Sequence, residues 1–163
     1  MTRTVTIAPV RKSVRINAAQ QVAFEVFTAG IGRWWPKKMG IGMAPIQAVK
    51  MEPRLGGRLY ELDEDQAEVV WGTVLAWDPH DRVVFTWQIT SKWKPEPKPE
   101  RAVNSEVEVR FVADGAEWTV VELEHRDFER MGAESGASLR HDVDNGWPGI
   151  LDAYARAAGT ISP

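Results

Sequence analysis

The stretch Leu139-Arg-His-Asp-Val-Asp-Asn-Gly-Trp-Pro-Gly-Ile-Leu-Asp-Ala-Tyr-Ala-Arg-Ala-Ala158 decides how this chain folds. Leu139, Val143, Trp147, Ile150, Leu151, Tyr154 and Ala158 recur every three or four residues, the period of one helix face. The long run before it reads mostly as strands, so one terminal helix has a whole sheet to cover. Two apolar surfaces of this kind bury each other, which makes the class α+β. A helix laid across a strongly bent antiparallel sheet leaves volume between the two, and an apolar pocket is the expected consequence. Pro148 removes a backbone donor inside the pattern and predicts a kink or a restart of the helix.

The strands next to this helix show which side chains face it. Asp114-Gly115 suggests a two-residue hairpin turn that would set Phe111 opposite Trp118. That register would place Glu122 and Glu124 on the face that carries Val107, Val109 and Phe111, and buried carboxylates without partners cost several kcal/mol. A longer or bulged loop instead joins these residues to Thr119, Val121, Leu123 and His125, and puts His125 inside. In the preceding hairpin, a type I turn centred on Pro79-His80 sets Ala76 against Val83, Val74 against Phe85 and Gly72 against Trp87. Phe85, Trp87 and Ile89 then point into the core, and Trp71 falls on the opposite, half-wet face.

Earlier in the chain, Val10 to Ile16 alternates as a strand, and Asn17 with Gln20 forms a capping-box pattern. Ala19, Val22, Ala23, Val26 and Phe27 make the buried stripe of the helix that follows, with Gln20, Gln21 and Glu25 facing water. Gly30 to Pro36 predicts a short second helix or turn. Ile46 to Glu52 and Arg58 to Leu62 read as strands joined by the Pro53-Arg-Leu-Gly-Gly turn. Lys94-Pro-Glu-Pro-Lys-Pro-Glu100 predicts an extended, solvated loop.

With 163 residues and 44% hydrophobic content the chain supports one core. The expected layout is a tail over 1–9, one domain over 10–158 and a tail over 159–163. A net charge of -3 offers no field for nucleic acid or an anionic membrane. The local basic cluster Arg3, Arg11, Lys12 and Arg15 reads as solvated charge on an edge strand and tail. Absence of cysteine excludes disulfides and thiolate chemistry, and agrees with a reducing compartment. The start, Met1-Thr-Arg-Thr-Val-Thr-Ile7, lacks the apolar region of a signal peptide, so a cytoplasmic protein is expected. Gly30-Ile-Gly32 and Gly40-Ile-Gly42 read as loop glycines rather than a dinucleotide fingerprint, and there is neither a Walker sequence nor a serine elbow. Three histidines in separate elements predict no metal site, and no cofactor is expected.

Ala19 to Phe27, Gly56-Gly57, Trp71-Gly-Thr-Val-Leu-Ala-Trp-Asp-Pro79 leading to Val84-Phe-Thr-Trp87, Thr119-Val-Val-Glu-Leu-Glu-His125, and Gly146-Trp147 with Ile150-Leu151 resemble the homologues of the heat-shock protein 90 ATPase activator, within the START-like or SRPBCC superfamily. The resemblance spans about residues 10 to 158. It implies a helix-grip fold, a curved sheet wrapped around the C-terminal helix, of the kind known for cavities that hold lipids, sterols, hormones or polyketide intermediates. It also implies a link to a heat-shock protein 90 chaperone, although this chain corresponds to the C-terminal module alone.

Three functions remain open. The first is binding of a small apolar or aromatic ligand in a cavity lined by Phe85, Trp87, His125, Trp147 and Ile150, with Trp35 near its entrance. The second is a co-chaperone module that stimulates a heat-shock protein 90 ATPase. The third is an enzyme of the cyclase or dehydratase kind, for which His125, Tyr60 or a buried carboxylate would have to converge on one cavity. His125 reads either as a buried, satisfied histidine or as a base.

Overall fold

A computed structural model describes residues 6–37, 45–96 and 104–159. Gly40-Ile-Gly42 and the end of the proline-rich loop, from Pro97, lie outside the described residues, as do most of the two expected tails. Seven antiparallel strands form one curled sheet in the order β1-β7-β6-β5-β4-β3-β2: β1 (Val10–Ile16), β2 (Ile46–Met51), β3 (Arg58–Asp63), β4 (Glu68–Asp78), β5 (Arg82–Trp87), β6 (Ser105–Ala113) and β7 (Thr119–Arg126). Helix α1 (Gln20–Phe27) follows β1, and the long helix α2 (Ala133–Ala158) closes the chain. This is the α+β helix-grip architecture. Among the described residues no helix is long and apolar enough to cross a membrane.

Helix α2 buries Leu139, Val143, Trp147, Ile150, Leu151, Tyr154 and Ala158, the stripe set by its spacing. It runs unbroken through Pro148, so the expected restart does not occur. The hydroxyl of Tyr154, whose titration burial pushes up, donates to Ala23 O at 2.7 Å and ties α2 to α1. Lys12 Nζ meets Asp144 at 2.8 Å, which fixes the helix to β1.

Strands β6 and β7 pair Val107 with His125, Val109 with Leu123 and Phe111 with Val121. Asp114 to Trp118 loop out between the paired Ala113 and Thr119, with Gly115 at φ +83°. The shorter turn is rejected for the reason the carboxylates give: Glu122 is exposed while Leu123 and His125 are buried. On the outer face Glu108 is enclosed by Arg82, Arg110 and Arg126. Burial pushes its carboxyl up, and the three guanidiniums outweigh that and hold it below the ordinary value.

Two bulges correct the reading of β4. Across β3–β4, Leu59 pairs with Gly72 and Tyr60 with Val70, which leaves Trp71 as the extra residue and turns its ring inward. Trp71 is 2% exposed, so it belongs to the core and not to the wet face. Across β4–β5, Val74 pairs with Phe85 as expected, but a second bulge sets Ala76 against Val84 and Trp77 against Val83. The turn holds His80 at φ 72°, the positive φ of a type II rather than a type I third position. Trp77 thereby packs edge-on against Phe24, with ring centroids 5.0 Å apart.

Helix α1 also departs from its expected start and stripe. Ala19 is the cap residue and makes no side-chain bond there. Gln20 is drawn instead to Phe111 O (2.8 Å) and Asp81 (2.9 Å), a tertiary use of the amide that replaces the capping box. Val22 is 44% exposed and Phe24 takes its place inside, because the helix turns toward Trp77 and Phe111. A 3-10 turn at Ile31–Arg33 then delivers Trp34 and Trp35 to the core.

Candidate functional site

The sheet's inner face, α2 and the 3-10 turn converge on a cluster of aromatic rings. Trp87 on β5 stands 5.0 Å from His125 on β7 and 5.5 Å from Trp147 on α2, between ring centroids. Trp35 stacks on Trp71 at 4.9 Å and 27°, and reaches Trp147 at 6.2 Å and Trp87 at 6.5 Å. Phe85 lies beside Trp71, and Ile150 follows Trp147 along the buried stripe of α2. Five of the six residues singled out from the sequence share one hydrophobic core, and the sixth, His125, is buried against the rings of Trp87 and Trp147. Trp35 is itself buried, with 7% of its surface exposed, so it packs inside the cluster and does not stand at a rim. One concavity formed by described residues lies on the outer sheet face, between Arg11, Glu108, Arg110 and Glu122.

His125 is fully buried, and burial pushes its pKa from 6.5 down to about 3, so the ring is neutral at pH 7. A neutral imidazole has one N–H and one lone pair. Trp147 Nε1–H donates to Nδ1 at 3.1 Å, and Nε2 lies 2.8 Å from Ser105 Oγ. An indole only donates, so the Nδ1 lone pair is taken and the proton sits on Nε2, donated to Ser105. His125 is thus a satisfied core residue with no free lone pair to act as a base.

The indoles around it differ in how they are satisfied. Trp34 Nε1 donates to Val26 O at 2.8 Å, and Trp93 Nε1 lies 3.4 Å from Asp142. Trp87 Nε1 is buried and has no hydrogen-bond partner among the described residues. Leaving such a donor unpaired costs about 1–3 kcal/mol. Ser105, fully buried and directly across the β5–β6 ladder from Trp87, was not visible as a site residue in the sequence. Extending the inward alternation of Val107, Val109 and Phe111 back by one step would have found it. For Trp71 the only signal was Gly72, since glycine within a strand marks a bulge or a close approach.

A family model described as activator of Hsp90 ATPase homolog 1-like protein matches residues 17–159. The chain belongs to that family. Two solved structures of similar length agree with this placement within the START-like superfamily. An anthrahydroquino-gamma-pyrone synthase, Txn09, is 38% identical over 93% of this chain and 97% of its own, with a TM-score of 0.64. A self-sacrificing resistance protein, CalC from Micromonospora echinospora, is 31% identical over 92% and 93%, with a TM-score of 0.63. CalU16 from the same organism is 25% identical over 95% of this chain and 77% of its own, with a TM-score of 0.59. No curated protein matches the chain. Among the described residues no group of histidines and carboxylates is arranged to hold a metal ion.

Proposed function

We propose that this family member binds a flat, oxygen-bearing aromatic molecule of the polyketide kind in the interior between sheet and α2. The carrying observation is the buried, unpaired Trp87 Nε1 at the centre of the aromatic cluster. A ligand oxygen placed there would satisfy a donor that the protein leaves open, while Trp35, Trp71 and Trp147 supply ring faces. Because the rings are in mutual contact, the ligand enters by displacing one of them. Trp35 is the one to move, since it sits on a short turn rather than on the sheet or α2. The 38% identity to a pyrone synthase supports an aromatic, oxygenated ligand class. It also favours a second reading, in which the chain closes a ring on such a substrate. His125 is not the base in that case, because Trp147 occupies its lone pair.

The test is titration of the protein with anthraquinone and its hydroxylated derivatives, read by tryptophan fluorescence and by the rise of Tm with ligand concentration. Trp87→Phe keeps a ring and removes the N–H, so affinity should fall roughly three- to tenfold in a protein that stays folded. Absence of any quench or thermal shift across these compounds, sterols and fatty acids would refute the reading, as would unchanged affinity in Trp87→Phe. Formation of a ring-closed product from an open polyketone would establish the second reading.

A further inference from the structure

The tautomer of His125 has a consequence for its neighbour. Ser105 Oγ receives the Nε2 proton of His125 and so acts as acceptor in that bond. A hydroxyl still holds one proton of its own to donate. Among the described residues, Ser105 makes no other side-chain hydrogen bond, and it is fully buried. Its cross-strand partner is Trp87, whose Nε1–H is the unpaired donor. Directly opposed residues on one sheet face lie about 5 Å apart at Cβ, and both Ser105 Oγ (2.8 Å) and the Trp87 ring (5.0 Å between centroids) lie against the imidazole of His125. Trp147 and Phe128 pack their rings against that imidazole, Trp147 also meets Trp87, and the imidazole, the one titratable group among them, is neutral.

We propose that Ser105 Oγ–H and Trp87 Nε1–H form a two-donor cradle for the oxygen of an ionisable phenol or enol on the aromatic ligand. The inference rests on the binding reading above and narrows its ligand to a molecule whose key oxygen carries negative charge. Two donors aimed at one oxygen hold its anionic form more strongly than its neutral form, because a hydrogen bond to an ionised acceptor is about twice as strong. Trp147 contributes from a distance: by taking the Nδ1 lone pair it directs the imidazole proton to Ser105, and so frees the serine hydrogen for the ligand.

The experiment follows the colour change of bound 1,2-dihydroxyanthraquinone, whose absorbance reports its own ionisation, across pH in the full chain. Ser105→Ala should raise the bound phenol's pKa by about one unit relative to the wild-type complex, and Trp87→Phe should shift it the same way. Ser105→Cys, close in size and a weak donor, should fall between, which separates loss of the donor from loss of packing. Nitrogen-15 NMR of His125 should show the proton on Nε2. No binding of the chromophore by the wild-type protein would bring down the binding reading and this one with it. Binding with the same phenol pKa in wild type and Ser105→Ala, or a proton found on Nδ1, would overturn the cradle alone.

Discussion

Acidification from pH 7 to pH 5 should destabilise this protein through a single buried imidazole. In the unfolded chain His125 takes a proton near pH 6.5, whereas in the fold burial lowers that value to about 3. Between the two, the unfolded state binds a proton that the folded state refuses. Its contribution is therefore complete above pH 6.5, is lost progressively as pH falls, and levels off below about 3. At 1.36 kcal/mol per unit, the loss is about 2 kcal/mol at pH 5. For a domain of this length that corresponds to a drop in Tm of about 4–8 °C. Glu108 acts in the same direction at lower pH, since its depressed carboxyl stabilises above the ordinary value of 4.5 and is lost below it. The window between pH 7 and 5 lies above the carboxyl of Glu108 and so separates it from the imidazole. Urea unfolding at pH 7, 6 and 5 should be compared with His125→Gln, which still carries a donor and an acceptor but does not titrate. The variant should be less stable at pH 7, and its further loss toward pH 5 should be smaller than that of the wild type by about 2 kcal/mol. His80 and His141 are present in both proteins and cancel in the comparison. Equal slopes in the two proteins would refute the argument, and would mean that water or a counter-charge reaches the ring.

Leu151→Ala should cost about 2–5 kcal/mol in urea or thermal unfolding, because Leu151 is 4% exposed on the face of α2 that meets the core. A loss below half a kcal/mol would place the residue off the contact stripe. Gly72→Ala should cost about 1–3 kcal/mol in the same assay, because an added Cβ would lie 2.6 Å from the carbonyl oxygen of Thr86, a backbone atom that cannot rotate away. A neutral result would show that the β4 bulge adjusts freely.

Helix α2 and the β6–β7 register were legible in the sequence because each is fixed by two constraints that agree. The apolar spacing from Leu139 to Ala158 has one helical solution, and Glu122 with Glu124 forbids the alternative strand parity. His125 and Trp87 followed from that parity, and Trp147 from the helix stripe, so the inner aromatic group was largely readable. Bulges defeated the same logic in β4. One inserted residue reverses the face of what lies beside it, and neither Trp71 nor Trp77 carries a local mark of that reversal beyond the neighbouring Gly72. The start of α1 failed for another reason. Gln20 has a capping role available within its own segment, and Phe111 O, ninety-one positions away, outcompetes it. What the sequence could not supply at all was the direction of the protons, which depends on which nitrogen of His125 meets Trp147.

That direction joins the fold to its chemistry. Helix α2 acts as more than a lid over the sheet, because the N–H of its Trp147 fixes how the imidazole on β7 uses its two nitrogens. The imidazole then fixes the role of Ser105 on β6, and Trp87 on β5 stands opposite with its own donor unpaired. Four elements thereby place polar groups among aromatic walls, and among the described residues neither the Ser105 hydroxyl proton nor Trp87 Nε1–H meets an acceptor. A purely hydrocarbon ligand would fill the volume and leave Trp87 Nε1 as costly as before, since burial of an unpaired N–H is not relieved by apolar contact. Sites built to hydrogen-bond a ligand oxygen reject the analogue without it far more strongly than apolar pockets reject a missing methylene. On the proposed binding reading the discrimination falls on the oxygen, and the rings around it require that its carrier be flat.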